Sequence, residues 1–556
     1  MTNFANVSNI FRKTLNMKHI LTLTLTALIC VMGFAQNGDY LDVNNVRAYI
    51  NPDGTLFNKD DKAAFEVPKK TPYDSLRAKH SIFSHQTWIS GLDSVTNYLH
   101  ASASSDIWFT QPDSNDFNFG PIASNYTNST YRNRYNRVWK VSQTEIADHI
   151  AKVGSIGYTI PDAILHWPAH GATTNGECLN LANFVDVNFD NIYTPSLGDY
   201  PSIRGDECLL LIFNDEGHKQ THSGRDAMKL EIHALVYAYN TGSNPIDNTI
   251  FVNYRVINRS WNTYKNVRFG AYTDMDLGCF SNDYIGCDST NNFFYAYNGE
   301  PDDGLACGGY GTRLPIQSCI FLNQSMDNYV YYNNDFSLIG NPENDTHFDN
   351  YLNSKWKDGV PITYGGNGRG GASPTNYMYP SDPSDPLGWS ECEQNNTPAD
   401  RRGLGSTNIN RLEPQASFCV DLAFMFDSAY AFCSSISGYV TMVNQVQTFY
   451  ASQNNSCATP VCGNLLSVNN AESMPLNFQC FPNPTSEGVL YINLNNEVSL
   501  GKLSIFDISG KMILQQDIPK LSGENYKIDV SSLSAGTYLI QVSNDGRLGS
   551  QKVVVH

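Results

Sequence analysis

Leu230-Glu231-Ile232-His233-Ala234-Leu235-Val236-Tyr237-Ala238-Tyr239 and Thr249-Ile250-Phe251-Val252-Asn253-Tyr254-Arg255-Val256-Ile257-Asn258 decide the fold of this chain. Both runs are rich in β-branched and aromatic residues, which suit a pleated and buried surface. Gly242 to Asp247 supplies a turn between them, so the two strands are expected to pair.

Further strands lie outward from this pair. Cys208 to Phe213 is a continuous apolar run, Val267 to Tyr272 follows the pair, and Phe418 to Phe426 returns to strand. Val46 to Ile50, with the turn Asn51-Pro52-Asp53-Gly54 behind it, predicts a lead-in strand and hairpin. Residues 280–415 are expected to be loop-rich, with Gly365 to Gly371 the most flexible part. Ser142 to Val153 predicts a helix, with Ser142 and Thr144 as cap candidates and Glu145 in the first turn. Ile146, Ile150 and Val153 mark its apolar face, and a second helix is expected over Val440 to Phe449.

The end of the chain is organised differently. Val489 to Leu494, Leu503 to Ile508, Met512 to Leu514, Tyr526 to Val530, Gly536 to Val542 and Lys552 to Val555 are short apolar or alternating runs at even spacing. Ser509-Gly510 supplies a hairpin turn. This is the pattern of a small antiparallel sandwich. Several motifs fall in order along it: Pro482-Asn483-Pro484 with Gly488, Ile505-Phe506-Asp507 with Gly510-Lys511, Asp529 to Tyr538 with Gly536, and Lys552-Val553-Val554. Together they resemble the type A sorting domain of the type IX secretion system of Bacteroidota. The resemblance implies that the outer-membrane translocon reads this segment, and that the protein is secreted or held at the cell surface.

The start of the chain agrees. Arg12, Lys13 and Lys18 precede an apolar stretch from Ile20 to Phe34, with Gly33 and Ala35 at small-residue positions. This has the form of a signal peptide over residues 1–35, too short for a comfortable membrane span. No later stretch reaches spanning length, so no transmembrane helix is expected in the mature chain. Without residues 1–35 the chain carries 33 Lys and Arg against 54 Asp and Glu. That acidity disfavours nucleic acid and anionic membranes as partners. Twelve cysteines remain, and export permits disulfides. Cys279 with Cys287, Cys307 with Cys319, and Cys457 with Cys462 are local pairings of suitable spacing.

Two acidic groups have the chemistry of calcium sites. Asp186, Asn188 and Asp190 place oxygens at alternate positions of one loop, and Ile192 adds a backbone carbonyl. Asn191 stands where Gly is usual and tolerates the left-handed region. Leu197 occupies the position of the usual late carboxylate, so Asp199 or Asp206 is needed to complete the set. The second group is Asp274, Asp276 and Asp283, with Asp288 beyond them. His166 with His170, and His218 with His222, have zinc-like spacing, but Pro168 and the flanking Gly217 and Gly224 oppose a helix, and no Glu follows the first His of either pair. Trp88, Trp108, Trp167 and Trp356 are candidates for stacking on sugars, or else for filling the core under long loops.

Leu230 to Asp303 also resembles a recurrent module of uncharacterised secreted Bacteroidota proteins. The matching phrases are Val256 to Ser260, Phe269-Gly270, Asp274-Met275-Asp276-Leu277-Gly278, Asp283 to Asp288 and Tyr297-Asn298-Gly299, with Asp400-Arg401-Arg402-Gly403 and Leu412-Glu413-Pro414 further on. The resemblance implies a large β-sandwich-like ectodomain and no particular reaction. The expected organisation is a signal peptide (1–35), a loop-rich region with the Asp186 loop (36–205), a β-rich domain (206–453), a linker (454–478) and the Ig-like sorting domain (479–556). The expected function is a secreted or surface binding or structural protein, an adhesin for a glycan or protein ligand, with calcium. A secreted hydrolase acting on glycan or protein is the alternative.

Overall fold

In the computed structural model the chain is mainly β, with 41% strand and 12% helix. The structure describes residues 38–70, 79–104, 115–124, 126, 132–217, 220–453, 455, 457, 462, 478–494, 501–507, 511–518, 525–544 and 547–556. The expected signal peptide, Trp108, His218, Gly510 and most of the expected linker lie outside them. The chain forms two compact units, Met1–Leu466 and Ser467–His556.

The first unit is built on a nine-stranded sheet. Its central strands are Leu314–Phe321, Ser417–Tyr430, Thr249–Asn258, Leu230–Ala238 and Glu207–Asn214, in that order. Thr249–Asn258 pairs antiparallel with Leu230–Ala238, as the sequence predicts. The pleat sends alternate side chains to opposite faces. Leu209, Leu211 and Phe213 enter one core, where they meet Trp88, Phe269, Ala271 and Leu404. Cys208, Leu210 and Ile212 enter a second core with Tyr439, Val443 and Val446 of the helix Ser437–Ala451. Both faces are covered, which is why the Cys208 run is continuously apolar. Each large aliphatic side chain removed from water contributes roughly 1.5–3 kcal/mol.

A five-stranded sheet supplies part of the first core, in the order Asn328–Asn333, Arg401–Leu412, Tyr264–Asp274, Ser84–Asp93 and Leu99–Ser102. Ser84–Asp93 pairs directly with Tyr264–Asp274, and Trp139–Ser142 pairs with Glu207–Asn214. A boundary at 205/206 therefore does not separate two domains: hydrogen-bonded ladders cross it. Residues 280–415 are also less irregular than their composition suggests. Asp283–Asp288, Phe293–Asn298, Leu314–Phe321, Asn328–Asn333 and Arg401–Leu412 are all strands there. Gly365 to Gly371 is held in place rather than loose: the indole N–H groups of Trp356 and Trp389 donate to Gly368 O and Gly366 O, each at 3.0 Å.

The first predicted helix forms over Gln143–Lys152. Ser142 Oγ accepts the Glu145 N–H (3.2 Å), and Glu145 Oε2 accepts the Ser142 N–H (2.9 Å), which is a complete capping box. Its inward face differs from the expected one. His149 is buried against Asp199 O, whereas Ile150 is 51% exposed. The disulfides are not the local ones either. Cys178–Cys462, Cys279–Cys307, Cys392–Cys433 and Cys419–Cys457 are bonded. Cys287 and Cys319 are buried thiols inside strands, out of reach of the loop cysteines.

The second unit holds a three-stranded sheet (Phe478–Phe481, Val489–Leu494, Asn525–Asp529) and a four-stranded sheet (Met512–Ile518, Gly501–Asp507, Gly536–Asn544, Arg547–Val555). Leu490, Ile492, Leu503, Ile505, Ile528, Ile540 and Val542 form its core.

His85 lies in the first core, fully buried, with its ring 4.6 Å from that of Phe424. Burial pushes its imidazole down to about 3 from the ordinary 6.5. Between these values the unfolded chain holds a proton that the folded chain excludes. The contribution of His85 is therefore complete above pH 6.5 and declines as pH falls, by about 1.4 kcal/mol per unit. His85→Phe should flatten the fall of Tm between pH 6.5 and 4 relative to wild type; parallel Tm profiles would contradict this.

Candidate functional site

The strand Tyr264–Asp274 ends on a carboxylate whose place is fixed by both neighbours, since Asp274 stands opposite Arg402 on one side and Ser84 on the other. Arg402 Nη2 lies 3.1 Å from Asp274 Oδ2, and Nη1 lies 2.7 Å from Asp400 Oδ1. Carboxylate oxygens of Asp274, Asp276 and Asp400 all fall within 4.8 Å of one another. The loop then turns back. Gly278 takes φ +69°, and a Cβ there would meet Asp303 Oδ2 at 2.5 Å. Asp283 opens the next strand and accepts the Leu277 N–H at 3.1 Å, while its own carbonyl accepts the Ala399 N–H at 3.3 Å. Asp276 and Asp400 are the chain neighbours of those two donors.

A second loop closes over the first. Asp303 accepts the Cys279 N–H (3.1 Å) and the Tyr310 N–H (2.5 Å), and the Cys279–Cys307 disulfide joins the same two loops. Asp283 and Asp303 are both fully buried. Burial pushes the Asp283 carboxyl well above the usual range, and Asp276, Asp303 and Asp400 push it the same way. Burial also raises Asp303, against its backbone bonds and Lys79. Burial works against the Arg402 charge, but Asp274 and its other neighbours outweigh it and hold the guanidinium above its ordinary range. Such a set of hard oxygens, with more carboxylates than cations, has the chemistry to bind calcium or magnesium.

Asp274, Asp276 and Asp283 are thus gathered at one place, but Asp288 is not. It lies at the far end of the Asp283–Asp288 strand, roughly 17 Å away at 3.3 Å per residue. Its Oδ1 caps a turn by accepting the Thr290 and Asn291 N–H groups, each at 3.0 Å. Asp400 and Asp303 were missed. The phrase Asp400-Arg401-Arg402-Gly403 was the available signal, but its strand pairs with Tyr264–Asp274 across more than a hundred residues.

The Asp186 loop curls as its spacing predicts. Asp186 Oδ1 accepts the Phe189 N–H and Oδ2 the Asn191 N–H, each at 2.7 Å. Asp190 Oδ1 accepts the Ile192 N–H at 2.7 Å, and Asn188 turns its amide nitrogen to Asp190 Oδ2 at 2.9 Å. Asn191 has φ +58°. Asp199 is fully buried and accepts the Val187 and Thr194 N–H groups at 2.9 and 2.7 Å. Asp206 is turned elsewhere, to the Asn240 N–H at 2.8 Å.

The other candidates settle into structural roles. His166 Nδ1 lies 2.8 Å from Asp162, and His170 Nδ1 lies 3.1 Å from Asn180 Oδ1. Trp88, Trp167 and Trp356 are buried, so they fill the core and are closed to a sugar face. Trp261, not singled out by the sequence, is 67% exposed.

In the C-terminal unit the motif residues stitch its ends together. Asn483, between Pro482 and Pro484, donates to Lys552 O (2.7 Å) and accepts the Val554 N–H (2.9 Å). Gly488 takes φ +66°, and a Cβ there would meet Ser531 Cβ at 2.8 Å. Tyr538, two residues after Gly536, donates its hydroxyl to Ser534 O at 2.8 Å. Lys511 donates its N–H to Asp507 Oδ1 at 3.1 Å.

Residues 479–556 match the family model described as the secretion system C-terminal sorting domain. The chain therefore carries a type IX export signal and is a secreted or cell-surface protein. Among the described residues no helix is long and apolar enough to cross a membrane. No curated protein matches the chain. One similar solved structure, a polysaccharide lyase, aligns at 9% identity and a TM-score of 0.20, over 70% of this chain and 41% of that one. The chain thus spans well under half the length of that lyase, and a likeness this weak carries no argument about activity.

The Cys279–Cys307 bridge closes a loop with a sequence separation of 28. Replacing both cysteines with serine should cost about 3–4 kcal/mol of stability, through the restored freedom of the unfolded chain. Chemical denaturation of the two forms checks this, and equal midpoints would contradict it.

Proposed function

We propose that this chain is an extracellular binding or structural protein, adhesin-like, delivered by the type IX translocon through residues 479–556, and that calcium stabilises its loops. The observation that carries the reading is the convergence of Asp274, Asp276 and Asp400 beside the buried Asp283. Asp283 and Asp303 are fully buried and bonded to backbone N–H groups. Carboxylates held in this way suit an ion, whereas a glycosidase acid and base must reach a substrate. The phrases that resemble secreted Bacteroidota proteins supply Asp274, Asp276, Asp283 and Asp400, which supports a shared structural module. The Asp186 loop, with Asp199 drawn to it, is the second candidate for calcium. A glycan or protein is the ligand class that fits such an exported scaffold.

Two measurements test this on the mature chain. Tm should rise by several degrees with millimolar calcium and fall back with EDTA; an unchanged Tm would sink the calcium reading. A glycan array and a panel of peptide and glycoside substrates should give binding without turnover. Turnover abolished by Asp276→Asn would instead establish the hydrolase.

A further inference from the structure

Asp283 and Asn298 are direct partners in the register of Asp283–Asp288 and Phe293–Asn298. Opposite residues share a face, so the two side chains lie side by side. Asp283 Oδ2 is taken by the Leu277 N–H, but its Oδ1 has no hydrogen-bond partner although the residue is fully buried. Asn298 Nδ2 donates to Glu300 O at 2.7 Å, which fixes the amide's orientation. Its Oδ1 also has no partner, at 2% exposure. Asn282, next in the chain and 5% exposed, leaves its Oδ1 in the same condition. A buried acceptor left without a donor costs about 1–3 kcal/mol, and such groups are rare in folded proteins.

All three orphaned atoms are oxygens, so what each lacks is a donor or a cation. Arg402 is already committed to Asp274 and Asp400, and Lys79 lies over the Tyr310 ring, 5.0 Å from its centroid. We infer that Asp283 Oδ1 and Asn298 Oδ1 are the inner ligands of a buried hard-cation site whose outer wall is Asp276 and Asp400, and that the ion is calcium. Carboxylate and amide oxygens with no nitrogen or sulfur donor select such an ion over zinc or copper. The ion would join the 275–282 loop, both strands of the Asp283–Asn298 hairpin and the start of Arg401–Leu412. This deepens the calcium reading above and rests on it.

The test is calcium binding to the EDTA-stripped mature chain, followed by native mass spectrometry and calorimetry. Wild type should bind at least one equivalent. Asp283→Asn should weaken that equivalent by at least about tenfold, since ligand charge sets affinity in such sites. Asn298→Ala should weaken it by a smaller factor, and Asp186→Asn with Asp190→Asn should leave it intact. Circular dichroism confirms folding. If Asp283→Asn does not fold, Asn298→Ala and Asp400→Asn decide by the same readout. Binding lost only in the Asp186 and Asp190 variant would overturn this site and leave the calcium reading standing. A wild-type chain that binds no calcium would overturn both.

Discussion

The nine-stranded sheet has to be covered on both faces, and the rest of the first unit follows from that requirement. Its strands send Leu211, Ala234, Val252 and Leu422 to one core and Ile212, Tyr237, Phe251 and Ala423 to the other. One face needs a second sheet, so residues from Ser84 to Leu412 contribute to five further strands. The other face needs helices, which Gln143–Lys152 and Ser437–Ala451 supply. Segments far apart in the chain are thereby forced into one unit, and no boundary near residue 205 survives.

The helix-covered face is not wholly apolar. Glu231, His233, Asn253 and Asp421 form a buried row across neighbouring strands, with the half-buried Arg255 among them. Burial opposes the Glu231 charge, but Arg259, His233 and the Ile122 N–H together outweigh it and keep the carboxyl below its ordinary range. Tyr450 of the last helix donates to Asp421. Buried ion pairs add little net stability, but removing one partner is costly. The Cys178–Cys462 and Cys419–Cys457 disulfides fasten the segment after the helix onto the same unit.

The acidic cluster and the sorting tail divide the labour. Residues 479–556 spend their distinctive side chains on their own closure: Asn483 on the last strand, Gly488 on a tight turn, and Tyr538 on Ser534. The carboxylate chemistry belongs to the first unit, where strand ends from three places meet.

Local signals were legible in the sequence. The Leu230 and Thr249 strands, the Ser142 capping box and the sorting motif each depend on residues a few positions apart, whose periodicity and side-chain bonds leave a direct trace. Asp274, Asp276 and Asp283 were legible for the same reason. Asp400, Asp303 and Asn298 were not, because long-range pairing sets their proximity and the chain carries no mark of which strand end meets which. The same holds for Cys279 with Cys307, for Trp88, whose loop-like surroundings conceal a buried strand, and for Gly365 to Gly371, tied down by two distant indoles. The sequence alone determined that this is an exported β-protein ending in a sorting domain, because those features are written in neighbouring residues. Only the tertiary structure decided where its charges gather and which oxygens are left without donors, because burial and register are properties of the packed chain.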